Sequence, residues 1–197
     1  MRSSIFFAFL WLILGMAPTK GSLDNRLLNI ADQAAHWILS REVDQDPKSA
    51  CCPSRENLPI EEKCDLYYGN AGILVFLREL YRATGKKEYA DAMQRDVAFL
   101  DQNLAQIKLY GLYDGLAGIA FSAAQDSEDL RASTVCSRAV DYLVQGANKQ
   151  ANGGVRWNDD NDIMSGSAGI GLTLLKLGDN RLALNLSTSL FKPEPTF

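Results

Sequence analysis

Residues 69–73 read Gly-Asn-Ala-Gly-Ile, and the same small-residue phrase returns at 115–119 as Gly-Leu-Ala-Gly-Ile and at 166–170 as Gly-Ser-Ala-Gly-Ile. The copies begin 46 and 51 residues apart, an interval typical of one helical hairpin per repeat. Because glycine inside a helix costs about 1 kcal/mol relative to alanine, its recurrence predicts that a packed neighbour or a ligand approaches too closely for a Cβ. The glycines concerned are Gly69, Gly72, Gly115, Gly118, Gly166 and Gly169.

Each phrase is also typical of a helix entrance. Asp114 and Ser165 stand immediately before the first glycine of the second and third copies, whereas Tyr68 holds that position in the first copy. Side-chain oxygens of Asp and Ser accept hydrogen bonds from the free N–H groups of a first turn. We therefore predict that two of the three copies carry their own N-cap.

The apolar periodicity predicts an all-α chain without strand pairing, because apolar residues recur at helical spacing through most of the sequence. A long loop is expected over 45–64, and the helix that opens at 166 has no obvious partner. Two arrangements suit such hairpins: an open solenoid, or an α/α toroid with the small-residue helices inside, which explains why the glycines cluster on one helix of each pair. The predicted helices are 24–40, 73–84, 89–104, 118–124, 128–146 and 166–177.

The first 21 residues are typical of a secretory signal peptide, since Arg2 precedes a short apolar run over 5–14 and small and polar residues follow. An uncleaved anchor is the alternative. A signal peptide implies a secreted or periplasmic protein with no membrane attachment after cleavage. Its removal takes away Arg2 and Lys20 and changes the formal net charge from −4 to −6, which argues against nucleic acid and anionic membranes as partners.

The four cysteines leave three interpretations open. Export permits a disulfide from Cys51 or Cys52 to Cys64, and the alternatives are free thiols or a metal site. The metal interpretation is the weakest, because no Cys-x-x-Cys occurs and the single histidine, His36, lies on a predicted helix. Cys136 falls on the apolar face of its helix and is predicted to be a buried small residue.

Several motifs in order resemble the lanthionine synthetase C-like (LanC-like) family. The resemblance covers about 23–178 and implies a toroid of seven hairpins in the complete fold, of which this chain holds about three from the N-terminal portion. Residues 1–21 then form the signal peptide, 22–178 the toroid fragment and 179–197 an irregular tail. The matching motifs are Tyr-Tyr-Gly-Asn-Ala-Gly-Ile at 67–73, Leu-Tyr-Arg-Ala-Thr-Gly at 80–85, Gly-Leu-Tyr-Asp-Gly-Leu-Ala-Gly-Ile at 111–119 and Asp-Ile-Met-Ser-Gly-Ser-Ala-Gly-Ile at 162–170.

The resemblance also implies a chemistry. The family's cyclases join a peptide cysteine thiol to a dehydroalanine or dehydrobutyrine, and a zinc ion held by two cysteines and one histidine activates the thiol. By motif position, Asp162 corresponds to the aspartate thought to take part in proton transfer. The zinc ligands belong to Trp-Cys and Cys-His-Gly motifs of later hairpins, and nothing in this sequence matches them. We therefore expect no zinc in this chain and a truncated family member that is inactive alone, which leaves its standing as an enzyme open.

Two other functions compete with that interpretation. A carbohydrate-active toroid is one, because Trp157 lies beside Asp159, Asp160 and Asp162, and paired carboxylates can act as acid and base. The same cluster is also typical of a solvated loop. A secreted module that binds peptides without catalysis is the other. Part of a ring leaves apolar sides uncovered, so self-association is expected as well.

Overall fold

A computed structural model of the chain describes residues 25–41, 58–125 and 129–179. The predicted signal peptide, Cys51, Cys52 and the tail beyond 179 lie outside these ranges. Within them, no helix combines the length and the apolar content needed to cross a membrane. The helices are α1 (Asn25–Leu39), α2 (Ile60–Cys64), α3 (Asn70–Thr84), α4 (Lys87–Asn103), α5 (Leu116–Ala124), α6 (Leu130–Gln145) and α7 (Ser167–Asp179), with a short 3₁₀ turn at Leu104–Gln106.

The chain divides into two compact units, Met1–His36 and Trp37–Phe197. The described part of the first unit is the greater part of α1, an amphipathic helix whose bounds agree with the predicted 24–40 to within one residue. Helices α2 to α7 all belong to the second unit.

The second unit consists of helical hairpins in two rows. Helix α3 packs against α4, and α5 packs against α6, so each pair is a hairpin. The first helices of the repeats, α3, α5 and α7, also pack against one another in sequence, while α4 packs against α6. The predicted all-α class and the clustering of the glycine-marked helices are therefore confirmed.

Helix α5 is the most deeply buried element. All its residues except Phe121 are buried, which is the environment expected for a short helix that is apolar all round. It lies between α3 and α7 in its own row and packs against α6 in the other. Close approach on so many sides requires the small side chains that the sequence places there.

The helix entrances are capped by backbone, not by the predicted side chains. Gly115 is the N-cap of α5 and no side chain bonds there, so the prediction for Asp114 is wrong. The N–H groups of Leu116 and Ala117 instead donate to carbonyl oxygens seven residues earlier, on Leu109 and Tyr110, at 3.0 and 3.2 Å. The preceding loop therefore folds back over the first turn of the helix and satisfies its free donors.

The third repeat uses the same device. Helix α7 begins at Ser167, two residues after the predicted cap Ser165, and the Ser167 N–H donates to the Asp160 carbonyl oxygen at 3.0 Å. In the first repeat the side-chain amide of Asn70 donates to the Lys63 carbonyl oxygen at 2.8 Å, again seven residues back. All three entrances are thus covered by their own loops.

The second glycine of each phrase is required by this fold-back. A Cβ added to Gly72, Gly118 or Gly169 would come within 3.0 Å of a carbonyl oxygen of the preceding loop. Backbone cannot yield as the end of a flexible side chain can, so any larger residue must displace the loop. The predicted close approach is confirmed, and the approaching group is the loop.

Smaller features depart from the sequence prediction. Helix α2 lies inside the segment predicted as a loop, and Asn148–Lys149 pairs antiparallel with Val155–Arg156 where no strand was predicted. Gly153, with φ of 82°, makes the turn between these two short strands. The predicted stop at Gly85 is confirmed, because it adopts a left-handed conformation and its N–H donates to the Tyr81 carbonyl oxygen at 2.7 Å.

The fold-back predicts opposite outcomes for two glycine-to-alanine substitutions. Gly118→Ala should destabilise the protein by about 2 kcal/mol or more, because its methyl group would overlap the Leu112 carbonyl oxygen. Gly171→Ala, in α7 with open space around its Cβ, is the matched control and should stabilise by up to about 1 kcal/mol. Urea unfolding of both variants measures the difference, and equal effects would contradict the fold-back.

Candidate functional site at the helix entrances

The segments 65–69, 111–115 and 162–166, which we call the entrance loops, are joined by backbone hydrogen bonds. The N–H groups of Leu66 and Tyr67 donate to the Tyr113 carbonyl oxygen at 3.2 and 3.1 Å. The Tyr113 N–H in turn donates to the Met164 carbonyl oxygen at 2.9 Å. Tyr67, Tyr113 and Met164 each stand two residues before the first glycine of their repeat, so the same position is linked from repeat to repeat.

Side chains interlock along the same direction. The Leu66 Cβ lies 3.0 Å from the place a Cβ would take on Gly118, and the Leu112 Cβ lies equally close to that place on Gly169. Each repeat therefore sets the residue three before its first glycine against the second glycine of the next repeat. The glycines serve both the fold-back and the contact between repeats.

The outer surface of the entrance loops carries aromatic and apolar side chains beside the exposed Asp162 carboxylate. Tyr67, Tyr68 and Met164 are exposed, and Tyr113 is half-buried. The rings of Tyr67 and Tyr68 meet edge to face with centroids 4.5 Å apart, and those of Tyr67 and Tyr113 lie 6.3 Å apart. We call these four residues the loop row.

Two aspartates close entrance loops from equivalent positions. Asp65 and Asp162 each stand four residues before the first glycine of their repeat. Asp65 Oδ1 accepts from the N–H groups of Tyr68 and Gly69 at 2.6 and 3.0 Å. Asp162 Oδ1 accepts from those of Met164 and Ser165 at 2.6 and 2.9 Å. Asp65 was missed from the sequence, although its spacing to the glycine pair equals that of Asp162.

The two carboxylates differ in solvation. Burial raises the pKa of Asp65 despite the opposing backbone bonds. Asp162 is exposed, and the bonds from Ser165 and Met164 lower its pKa. Asp162 is therefore an ionised carboxylate occupied in closing its loop, and its role in proton transfer stays a prediction.

The second repeat has no aspartate in that position. Gly111 replaces it, and a Cβ there would meet the Asp114 carboxylate and the backbone of Ser165 and Met164. Asp114 Oδ1 is buried and has no hydrogen-bond partner among the described residues. The glycine is needed because the third entrance loop packs directly on this position.

The described cysteines do not fit the family's zinc site. Cys64 and Cys136 are buried, and burial raises the pKa of each thiol to about 12, whereas zinc binds thiolate. No three His, Cys, Asp or Glu side chains of the described ranges come together in a metal-binding group. His36 lies on α1, 3.5 Å from Asp32. Cys136 is buried, as predicted, and the pairing of Cys64 with Cys51 or Cys52 stays a prediction because those two lie outside the described residues.

The cluster around Trp157 has structural partners. The Trp157 indole N–H donates to the Leu143 carbonyl oxygen at 2.6 Å, and Asp159 forms an ion pair with Arg156. Asp160 is exposed, and its N–H donates to Asn158 Oδ1 at 3.2 Å. This geometry favours a solvated, internally bonded loop over an acid and base pair for glycan cleavage.

A family model described as lanthionine synthetase C-like protein matches residues 61–192. The chain belongs to this family. The matched segment contains all three glycine phrases. The all-α fold of this LanC-like chain agrees with the expected fragment of an α/α toroid. A search among curated proteins found no match.

The two aspartates of this LanC-like chain should titrate on opposite sides of the ordinary value of 3.8, Asp65 above it and Asp162 below it. Carboxyl ¹³C NMR measures both, with Asp65→Asn and Asp162→Asn to assign the signals. The contribution of Asp162 to stability should be lost as pH falls through its lowered pKa. That of Asp65 should be present at low pH and lost as pH rises through its raised pKa. The reverse order of titration would contradict the described solvation.

Proposed function

We propose that this LanC-like chain is a secreted protein that binds a peptide along the loop row and does not by itself carry out zinc-dependent thioether formation. The observation that supports binding is the loop row, an exposed aromatic surface held in register by backbone hydrogen bonds. Exposed apolar surface in a fixed arrangement is typical of interaction sites. Secretion is inferred from the signal-like segment 1–21.

The spacing of the rings favours an extended peptide as the ligand. The 6.3 Å between the rings of Tyr67 and Tyr113 is close to the separation of alternate side chains along an extended chain, about 6.7 Å. Tyrosines supply large contact area with few rotatable bonds and a polar hydroxyl. An extended peptide could therefore place alternate side chains against successive members of the row.

The charge near the row favours a neutral or basic peptide. Asp159, Asp160 and Asp162 are exposed in the loop that carries Met164, and the chain has a formal net charge of −4. The first-turn N–H groups of Leu116, Ala117 and Ser167 donate to carbonyl oxygens of their own loops, so these groups are not available to a carboxylate or phosphate. A peptide rich in Asp and Glu is the least suited partner.

The absence of cyclase activity in residues 1–197 is inferred from the side chains that could act as zinc ligands. The described thiols have raised pKa values, and the sequence contains neither Trp-Cys nor Cys-His-Gly. The carbohydrate-active alternative has no supporting geometry among the described residues, since Asp159 and Asp162 are occupied by Arg156 and by the loop backbone.

Peptide binding can be tested with a fluorescein-labelled basic peptide containing one dehydroalanine and one cysteine. We expect fluorescence anisotropy to rise with protein concentration, and Tyr67→Ala to weaken binding about tenfold, a loss of about 1.4 kcal/mol, because a stacking face is removed. Tyr81→Ala, at an exposed tyrosine on α3, is the matched control and should bind normally. Equal losses in both variants, or no binding by the unmodified chain, would contradict the proposal.

The same reaction mixture tests the chemistry separately. Thioether formation leaves the peptide mass unchanged but consumes its thiol, so iodoacetamide labelling followed by mass spectrometry reports the reaction. We expect full labelling and no stoichiometric zinc by elemental analysis. Loss of the thiol together with one tightly bound zinc per chain would overturn the second half of the proposal and leave peptide binding to be judged by its own measurement.

A further inference from the structure

The contact between consecutive repeats has two complementary sides. The donor edge of a repeat comprises the N–H two residues before its first glycine and the side chain three residues before it. The acceptor edge comprises the carbonyl oxygen two residues before the first glycine and the second glycine itself. Within this chain the donor edges of the first and second repeats are filled by the acceptor edges of the second and third.

The donor edge of the third repeat is more exposed than that of the second. Ile163 is 51% exposed, whereas Leu112 at the same position of the second repeat is 8% exposed. The residue nine positions after the first glycine is Arg78 in the first repeat, Ala124 in the second and Leu175 in the third. Arg78 and Ala124 are 2% and 6% exposed, whereas Leu175 is 70% exposed. Exposure rises at the two positions where a following repeat would lie.

In the first repeat, the Arg78 side chain contacts α5, the next helix of the row. Its guanidinium donates to the Ser122 carbonyl oxygen of α5 at 2.8 Å. Leu175 has no such neighbour among the described residues, and its apolar side chain faces solvent. Among the described residues, the third repeat therefore presents a contact surface of the type that the earlier repeats bury.

The acceptor edge of the first repeat is only partly covered. Gly72 is half-buried, whereas Gly118 and Gly169 are buried. Seven residues after the first glycine, Phe76 is half-buried, whereas Ser122 and Thr173 are buried. The first repeat thus retains accessible surface where a preceding repeat would lie.

We propose that a second copy of this chain docks its first repeat on the third repeat, head to tail, so that Ile163 and Leu175 of one copy lie against Gly72 and Phe76 of the other. The chain makes the backbone and leucine-to-glycine part of this contact twice internally, so the two surfaces have compatible backbone geometry. Such an interface is heterologous and can continue to further copies.

Before docking, the Asp162 carboxylate already accepts a hydrogen bond from the N–H group of the donor edge. Its Oδ1 accepts from the Met164 N–H, the group that Tyr113 and Tyr67 use to reach the next repeat. On docking, Met164 would donate to the partner's carbonyl oxygen. The Asp162 carboxylate would keep the Ser165 N–H, as Asp65 keeps the equivalent group of Tyr68. The loop row would then continue from Met164 across the interface.

Sedimentation velocity of the full chain over a range of micromolar concentrations tests the proposal. We expect the average mass to rise with concentration, and Leu175→Glu and Ile163→Asp each to shift the midpoint about tenfold higher. Leu130→Glu, at an 84% exposed leucine that begins α6, is the matched control and should leave the midpoint unchanged. A monomer at every concentration, or an equal effect of the control, would overturn the proposal.

Mixing two blocked variants separates a head-to-tail contact from a symmetric one. Leu175→Glu blocks the donor edge and Phe76→Glu the acceptor edge, so the mixture should form one-to-one dimers and nothing larger. Association of Phe76→Glu alone with no dimer in the mixture would indicate α7 packing on α7 and would overturn the proposal.

Circular dichroism checks that the variants fold, and Phe76→Gln provides a milder block. A monomer that melts at lower temperature after Leu175→Glu would mean that the chain covers α7 itself, and this result would overturn the proposal too.

Discussion

The structure depends on a loop that folds back over the entrance of each repeat's first helix. Carbonyl oxygens seven residues upstream accept the first-turn N–H groups of Leu116, Ala117 and Ser167. This arrangement satisfies donors that would otherwise need water or a capping side chain. It brings backbone against backbone, so the second glycine of each phrase tolerates no Cβ. One local constraint therefore explains the phrase that recurs along the chain.

The fold-back also determines what kind of site the entrances can form. Because the first-turn N–H groups of Leu116, Ala117 and Ser167 are occupied, they are not available to an anion, although the dipoles of α5 and α7 alone would favour one there. What reaches solvent is the outer side of the entrance loops, with Tyr67, Tyr68 and Met164 exposed. The ladder through the Tyr113 backbone fixes the spacing of that surface. The surface suits recognition of side chains more than chemistry at a charged centre.

Periodicity and the glycine phrases predicted the all-α class, the hairpins and the stop at Gly85, because these follow from local sequence. Capping could not be predicted this way, since the partners of the entrance donors lie on a loop that only the tertiary structure brings back. The predicted N-cap role of Asp114 was wrong for that reason. The equivalence of Asp65 and Asp162 was visible as a common spacing to the first glycine, but Gly111 interrupts the pattern in the middle repeat.

The most direct test of this account is amide hydrogen exchange at the entrance loops, measured by NMR. If the loops form a ladder, the N–H groups of Tyr67 and Tyr113 should exchange as slowly as those in the middle of α5, although both residues lie outside helices. Exchange as fast as at Asn152, in the exposed turn between the two short strands, would contradict it and would leave the repeats joined by helix packing alone.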